Sequence, residues 1–324
     1  GYMPDVWQGY VGANNNLLHA GLIEPLEVYV DRGLISIEDI SKSLLETGMI
    51  DGKLYGISLG CNVKCMMVIP ECFRKANLEI PEEGYKSWEA LEADLIKIKE
   101  NGIAPVAGHV FDRDFTFEYF CLQRGETKFT GSGKAEIGFS KNTYVDYYCM
   151  WLRWEEEGLI PPYIATYMLR KQPDAEETQP EYVVSFLYSN QFEQRSEKSK
   201  YRLELLPLPG MEDVGGMEIR PGMHICMSSI SEHKEAAARL IDFLINDMEA
   251  NQILNAERGM PASVKVRNAL LPGFNETQLE MARLIEFAEQ HSISTGQITG
   301  DDNRALDAGV QGGLMEELEQ QIML

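Results

Sequence analysis

The residue types that enzymes use for bond-making are present in this chain, but not at working spacings. Glu155-Glu156-Glu157 lines up three carboxylates. Adjacent helical residues point about 100° apart, so the triplet cannot converge on one bond and reads as a solvated face. A glycoside hydrolase needs two carboxylates converging at about 5–10 Å, and no spacing here argues for such a pair. GxSxG, HExxH and phosphate-cradling glycine loops are all missing from the sequence. The six cysteines, Cys61, Cys65, Cys72, Cys121, Cys149 and Cys226, form no CxxC pair. Their scatter does not suit a disulfide framework, and Cys61, Cys65 and Cys72 have no histidine at metal-ligand spacing. They read as buried, unpaired thiols acting as small hydrophobes, which in an exported protein would fit a reducing habitat. One stretch, HVFDRDFTFEYF (His109–Phe120), sets three acids and a histidine among aromatics. It is either a site or a helix start capped by Asp112 or Asp114. No catalytic residue, metal or cofactor is expected.

A chain of 324 residues has room for two domains, each with its own core. With 29 basic and 51 acidic residues the net charge is −22, which repels nucleic-acid phosphates and anionic lipid headgroups. No apolar run reaches the roughly 18 residues of a membrane span. Asp51-Gly52 is a tight-turn dipeptide, followed by strand-forming Leu54, Tyr55 and Ile57, and by an apolar strand over Val63–Ile69. Trp88, Leu91, Leu95 and Ile98 share one face of a helix that Ser87 caps and Gly102 closes. Ile103–Gly108 reads as a strand. Lys141–Gly158 reads as a helix with Val145, Tyr148, Cys149 and Leu152 on one face and Trp151 and Trp154 in the core. Gln172–Pro180 is a surface loop. Strands are expected over Glu181–Tyr188, Tyr201–Leu206 and Met223–Ser229, the first leading into a helix at Ser189-Asn190-Gln191. Ala237, Leu240, Ile241, Leu244 and Met248 form the apolar stripe of a long helix after Ser231. Strands alternating with helices predict an α/β fold.

Five segments in order carry a resemblance. They are Met3-Pro4-Asp5-Val6, Gly21–Leu26 (GLIEPL), Asp51–Ser58 (DGKLYGIS), Lys86–Leu91 (KSWEAL) and Arg258–Ser263 (RGMPAS). The chain thereby resembles the extracellular solute-binding proteins of ABC importers, in particular the carbohydrate-binding group that includes maltose-binding protein. It departs from the family at Val68–Phe73, where a YNKDLF-like segment is usual and its aromatic and amide are lost. The resemblance implies a two-lobe, periplasmic-binding-protein-like fold of the class II type, hinged, with a ligand cleft between the lobes. Residues 1–104 and 224–290 would form one lobe, and 105–223 and 291–324 the other. Crossings are expected near 103–108, 221–227 and 290–300. Measured against the family pattern, the first strand and helix, a secretion signal and the last helices are missing from the sequence as given.

In the family, the loop after the first of these segments, the loop around Asn62 and the strand end before a second-lobe helix line the cleft. Carried over, this gives Trp7, Tyr10, Asn14, Asn62, Tyr188, Ser189 and Asn190 as ligand-binding candidates, with Arg220 and His224 beside the return crossing. Asn62 offers both donor and acceptor, as a sugar hydroxyl needs. The plainer alternatives are an ordinary turn over Gly9–Asn16, a strand-end tyrosine with a helix cap at Tyr188–Asn190, and a satisfied core histidine at 224. Lys64 either points to the cleft or is an exposed strand lysine. The implied function is capture of a sugar or oligosaccharide by hinge closure and delivery to a membrane permease, with no covalent step. The same fold could instead bind a polyamine, a metal complex, an anion or a peptide; a glycoside-processing enzyme is the remote alternative. The resemblance also implies an extracellular, lipid-anchored monomer (periplasmic where there is an outer membrane) with the permease's transmembrane subunits as partners.

Overall fold

A computed structural model describes residues 3–9, 15–109, 113–130, 136–162, 181–210 and 217–292. They fall into two compact units. The first takes the described residues within Gly1–Val63, Thr130–Glu136 and Met217–Gln311, the second those within Lys64–Phe129 and Ile137–Gly216. The chain changes unit at Val63–Lys64, ahead of the expected 103–108 crossing, which lies inside the second unit. The change falls within one strand, Gly60–Val68, all nine residues of which are buried. Continuous rather than alternating burial marks a strand covered on both faces.

In the first unit, Val6–Gly9 pairs antiparallel with His224–Met227, which pairs in turn with Ile57–Ser58. The register sets Trp7 against Cys226 and Ser58 against His224. The start of the long strand pairs with Ile219–Pro221, placing Arg220 opposite Asn62, and with Met260–Pro261. Asp51-Gly52 makes the expected tight turn, both residues at positive φ (49° and 76°), between Met49–Ile50 and Lys53–Leu54. Three glycines let backbone meet backbone in this unit. A Cβ on Gly222 would lie 2.1 Å from the Arg258 carbonyl oxygen, and one on Gly60 would lie 2.6 Å from the same atom. Gly259 (φ +94°) lies beside Asn62, whose amide atoms a methyl there would approach to 3.1 Å. The helix Lys234–Asn246 buries Ala237, Ala238, Ile241 and Ile245, so its core stripe is rotated from the expected one and Leu240 faces solvent.

In the second unit, the rest of the long strand lies between Glu204–Leu206 and Val184–Tyr188, both antiparallel to it, and Ala107–His109 runs parallel to Val184–Phe186. Ser87 caps the helix Trp88–Glu100 by accepting the Ala90 N–H, and Gly102 follows at φ 73°. The helix Lys141–Glu156 is capped by Ser140 and buries Tyr147, Tyr148, Met150, Trp151 and Trp154. Trp88 packs against Trp151, Trp154 and Phe186 with ring centroids 6.2, 6.3 and 5.7 Å away. Val145 and Cys149, expected on the buried face, are exposed. Two tryptophans and two tyrosines bury far more apolar area than Val, Cys and Leu, and that difference sets the rotation of the helix. Arg153 grips Glu92 through two 2.6 Å hydrogen bonds, tying the two helices.

Candidate functional site

Of the nine residues expected to bind ligand, seven are described. Tyr10 and Asn14 lie outside the described residues, as do the loop Gln172–Pro180 and the third crossing beyond residue 292.

In the first unit, Trp7 sits mid-strand, half-buried against Ile23 and Cys226. Its indole Nε1 is shielded from solvent and finds no acceptor among the described residues. Asn62 is buried at 9% exposure, and its side chain makes no hydrogen bond among the described residues. Its amide atoms are not among those sealed from solvent without a partner, so water can pair them until a ligand does. Arg220, opposite Asn62 across the strand pair, is partly exposed and donates from Nε to the buried Glu218 carboxylate at 2.9 Å. His224 is fully buried, with Nε2 3.0 Å from Thr47 Oγ1. The Thr47 hydroxyl proton goes to the Leu44 carbonyl at 2.6 Å, so the imidazole donates to the Thr47 oxygen and Nε2 carries the proton. That imidazole is committed within its own unit.

In the second unit, Val184–Tyr188 ends in a single tight turn over Ser189–Gln191. The Tyr188 N–H donates to the Gln191 side-chain oxygen at 3.2 Å, which fixes where the strand stops. Tyr188 is half-buried, Ser189 buried and Asn190 exposed. Tyr188 faces Lys64 across the strand pair and meets Phe115 edge-to-face, centroids 4.9 Å apart and planes at 85°. Lys64 is not the exposed strand lysine that the sequence suggested: it is 5% exposed, and its ammonium donates to the Phe115 carbonyl at 2.8 Å. Glu118 stands 3.7 Å from that ammonium, and the Phe115 and Tyr119 ring centroids lie at 4.8 and 5.5 Å. The structure thus connects Tyr188 to part of the acid-and-aromatic stretch His109–Phe120, whose role the sequence left open. A lysine inside GCNVKCMMV must be paired if the strand is buried, but which residue pairs it is not written in the spacing.

Five of the cysteines are buried and Cys149 is exposed, all as free thiols. Burial pushes the Cys61 and Cys226 thiols up to about 12. Among the described residues no group of three His, Cys, Asp or Glu side chains could hold a metal ion, and no helix is long and apolar enough to cross a membrane.

No family model matches the chain. Among curated proteins, a binding protein of Brucella abortus (strain 2308) is 22% identical over 242 residues, 71% of this chain and 55% of that protein. The chain therefore spans about half the length of the curated relatives it matches. Among solved structures, an extracellular solute-binding protein family 1 member from Alicyclobacillus acidocaldarius superposes with a TM-score of 0.77 at 23% identity, covering 99% of this chain and 82% of that one. A periplasmic oligogalacturonide binding protein from Yersinia enterocolitica gives 0.73 at 18% identity, covering 99% and 86%. A designed esterase gives 0.76 at 18% identity, covering 98% and 82%. The chain has the mixed α/β fold of the periplasmic solute-binding proteins, as its motifs predicted. Fold alone does not decide function, since an esterase has been built on it.

Proposed function

We propose that this chain is the substrate-binding component of an ABC importer, working outside the cytoplasmic membrane, held there by a lipid anchor, and acting as a monomer. It captures a sugar or oligosaccharide by hinge closure and hands it to the transmembrane subunits of the permease. The observation that carries this reading is the fold shared over nearly the whole chain with solute-binding proteins, one of them an oligogalacturonide binder. The local chemistry supports it. Sugar ring faces stack on aromatics such as Trp7 and Tyr188, while hydroxyls pair with amides such as Asn62 and Asn190. An arriving hydroxyl would satisfy the Asn62 amide, and a wrong stereoisomer would leave it unpaired, which gives selectivity without catalysis.

A thermal-shift screen of mono- and oligosaccharides tests the proposal. A cognate sugar raises the melting temperature by mass action, by about 2.7 kcal/mol of stabilisation at a hundredfold excess over Kd. The same sugar recovered chemically unchanged after long incubation separates a binder from an enzyme. If no sugar shifts melting while a polyamine, anion or peptide does, the carbohydrate assignment is wrong.

A further inference from the structure

The strand Gly60–Val68 carries one cation in an otherwise uncharged, fully buried run. Taking an ammonium out of water costs several kcal/mol, and a methionine would fill the same space, so packing alone does not account for Lys64. Two of its contacts fall on one residue. The ammonium donates to the Phe115 carbonyl at 2.8 Å and also lies over the Phe115 ring, 4.8 Å from its centroid, so it holds that residue by backbone and side chain together. Glu118 at 3.7 Å balances the charge. Phe115 in turn presents its ring edge-to-face to Tyr188, and Tyr188 is the strand partner of Lys64. The three residues close a loop of contacts in which moving one displaces the others.

We propose that Lys64 is the positioning residue of the aromatic half of the ligand site in the second unit. By fixing Phe115 it sets the plane of the Tyr188 ring. This rests on the reading that Tyr188 meets a sugar face, where stacking depends on ring orientation.

The test uses protein labelled with 3-fluorotyrosine, the Tyr188 resonance being assigned by Tyr188→Phe. Lys64→Met is expected to shift and broaden the Tyr188 fluorine line, and Lys64→Arg, which can still reach the Phe115 carbonyl, to keep it near the wild-type position. Phe115→Leu retains the ammonium and its carbonyl contact but removes the ring, and should move the same line. Lys64→Gln, which also lacks the ammonium, takes the place of the methionine variant if that one does not fold. A Tyr188 line unmoved in Phe115→Leu, or in a folded Lys64→Met whose melting temperature has dropped, would reduce Lys64 to a structural residue and overturn the proposal. Thermal-shift titrations with maltotriose and digalacturonate supply the binding arm. Any sugar that binds wild type should bind Lys64→Met about tenfold or more weakly and recover with Lys64→Arg. If neither sugar shifts wild-type melting, these two are not cargo, and the fluorine readout still decides the role of Lys64.

Discussion

At the scale of single residues, the side chains with uncommitted chemistry are the ones to test. Asn62→Ala removes a buried amide that leaves no protein partner behind, so it should cost little stability while weakening sugar binding by about 1–3 kcal/mol. Asn190→Ala, at an exposed position, should likewise spare the melting temperature of the free protein. Calorimetry showing full affinity in both variants would take these amides out of the site. The thiols offer a second test. Cys149 should react rapidly with a disulfide reagent at neutral pH, while Cys61 and Cys226, protonated and buried, should wait for denaturant. Fast modification of more than one thiol in the native protein would contradict the packing. Residue chemistry was only partly legible in the sequence. Thiols without pairing or ligand spacing were readable as small core groups, and five of them are. Lys64 was not, because burial of a cation depends on partners at Phe115 and Glu118, far along the chain, and periodicity carries no such information.

At the scale of elements, local signals are legible in the sequence and orientations less so. Ser87 and Gly102 bracket their helix as expected, because caps and left-handed glycines are properties of a few adjacent residues. In Lys141–Glu156 the expected Tyr148, Trp151 and Trp154 are buried but Val145 and Cys149 are exposed, and the buried stripe of Lys234–Asn246 is rotated from the expected one. Which face turns inward is settled by the area offered to the neighbouring elements, and that is a tertiary quantity. The Glu92–Arg153 pair can be tested by pH. Hydrogen bonds from Arg153 hold the Glu92 carboxyl below its usual range, so its stabilisation is present above the ordinary carboxylate pKa and is lost as pH falls through the lowered one. Arg153→Met should therefore cost about 1 kcal/mol at neutral pH, since Arg153 is half-exposed, and progressively less as the pH is lowered below the ordinary carboxylate range. Urea unfolding at neutral and at acid pH measures the difference, and an equal deficit at each would refute the assignment. Gly222→Ala is the complementary test of backbone contact. Its methyl would press on the Arg258 carbonyl, and a loss of about 1–3 kcal/mol is expected. A neutral substitution would show that the loop at 258 yields.

At the scale of the whole molecule, the motif order predicted the fold and the comparisons with solved structures bear it out. The cargo stays a proposal, because ligand identity lives in a handful of side chains. If the proposal is right, a cognate sugar should lower the radius of gyration measured by X-ray scattering, and an unchanged value at saturation would count against capture by closure. The long strand brings a different liability. Cys61, Cys65, Met66 and Met67 set four sulfur atoms within seven consecutive residues, each at most 6% exposed. Folded, they are sealed from peroxide; unfolded, they are all open to it. A sulfoxide at Met66 is polar and cannot be returned to a site with no exposure, so a brief oxidant pulse in denaturant should abolish renaturation. The same pulse given to the native protein should leave renaturation intact. Survival of this chain under oxidative stress would then be governed by how seldom it unfolds.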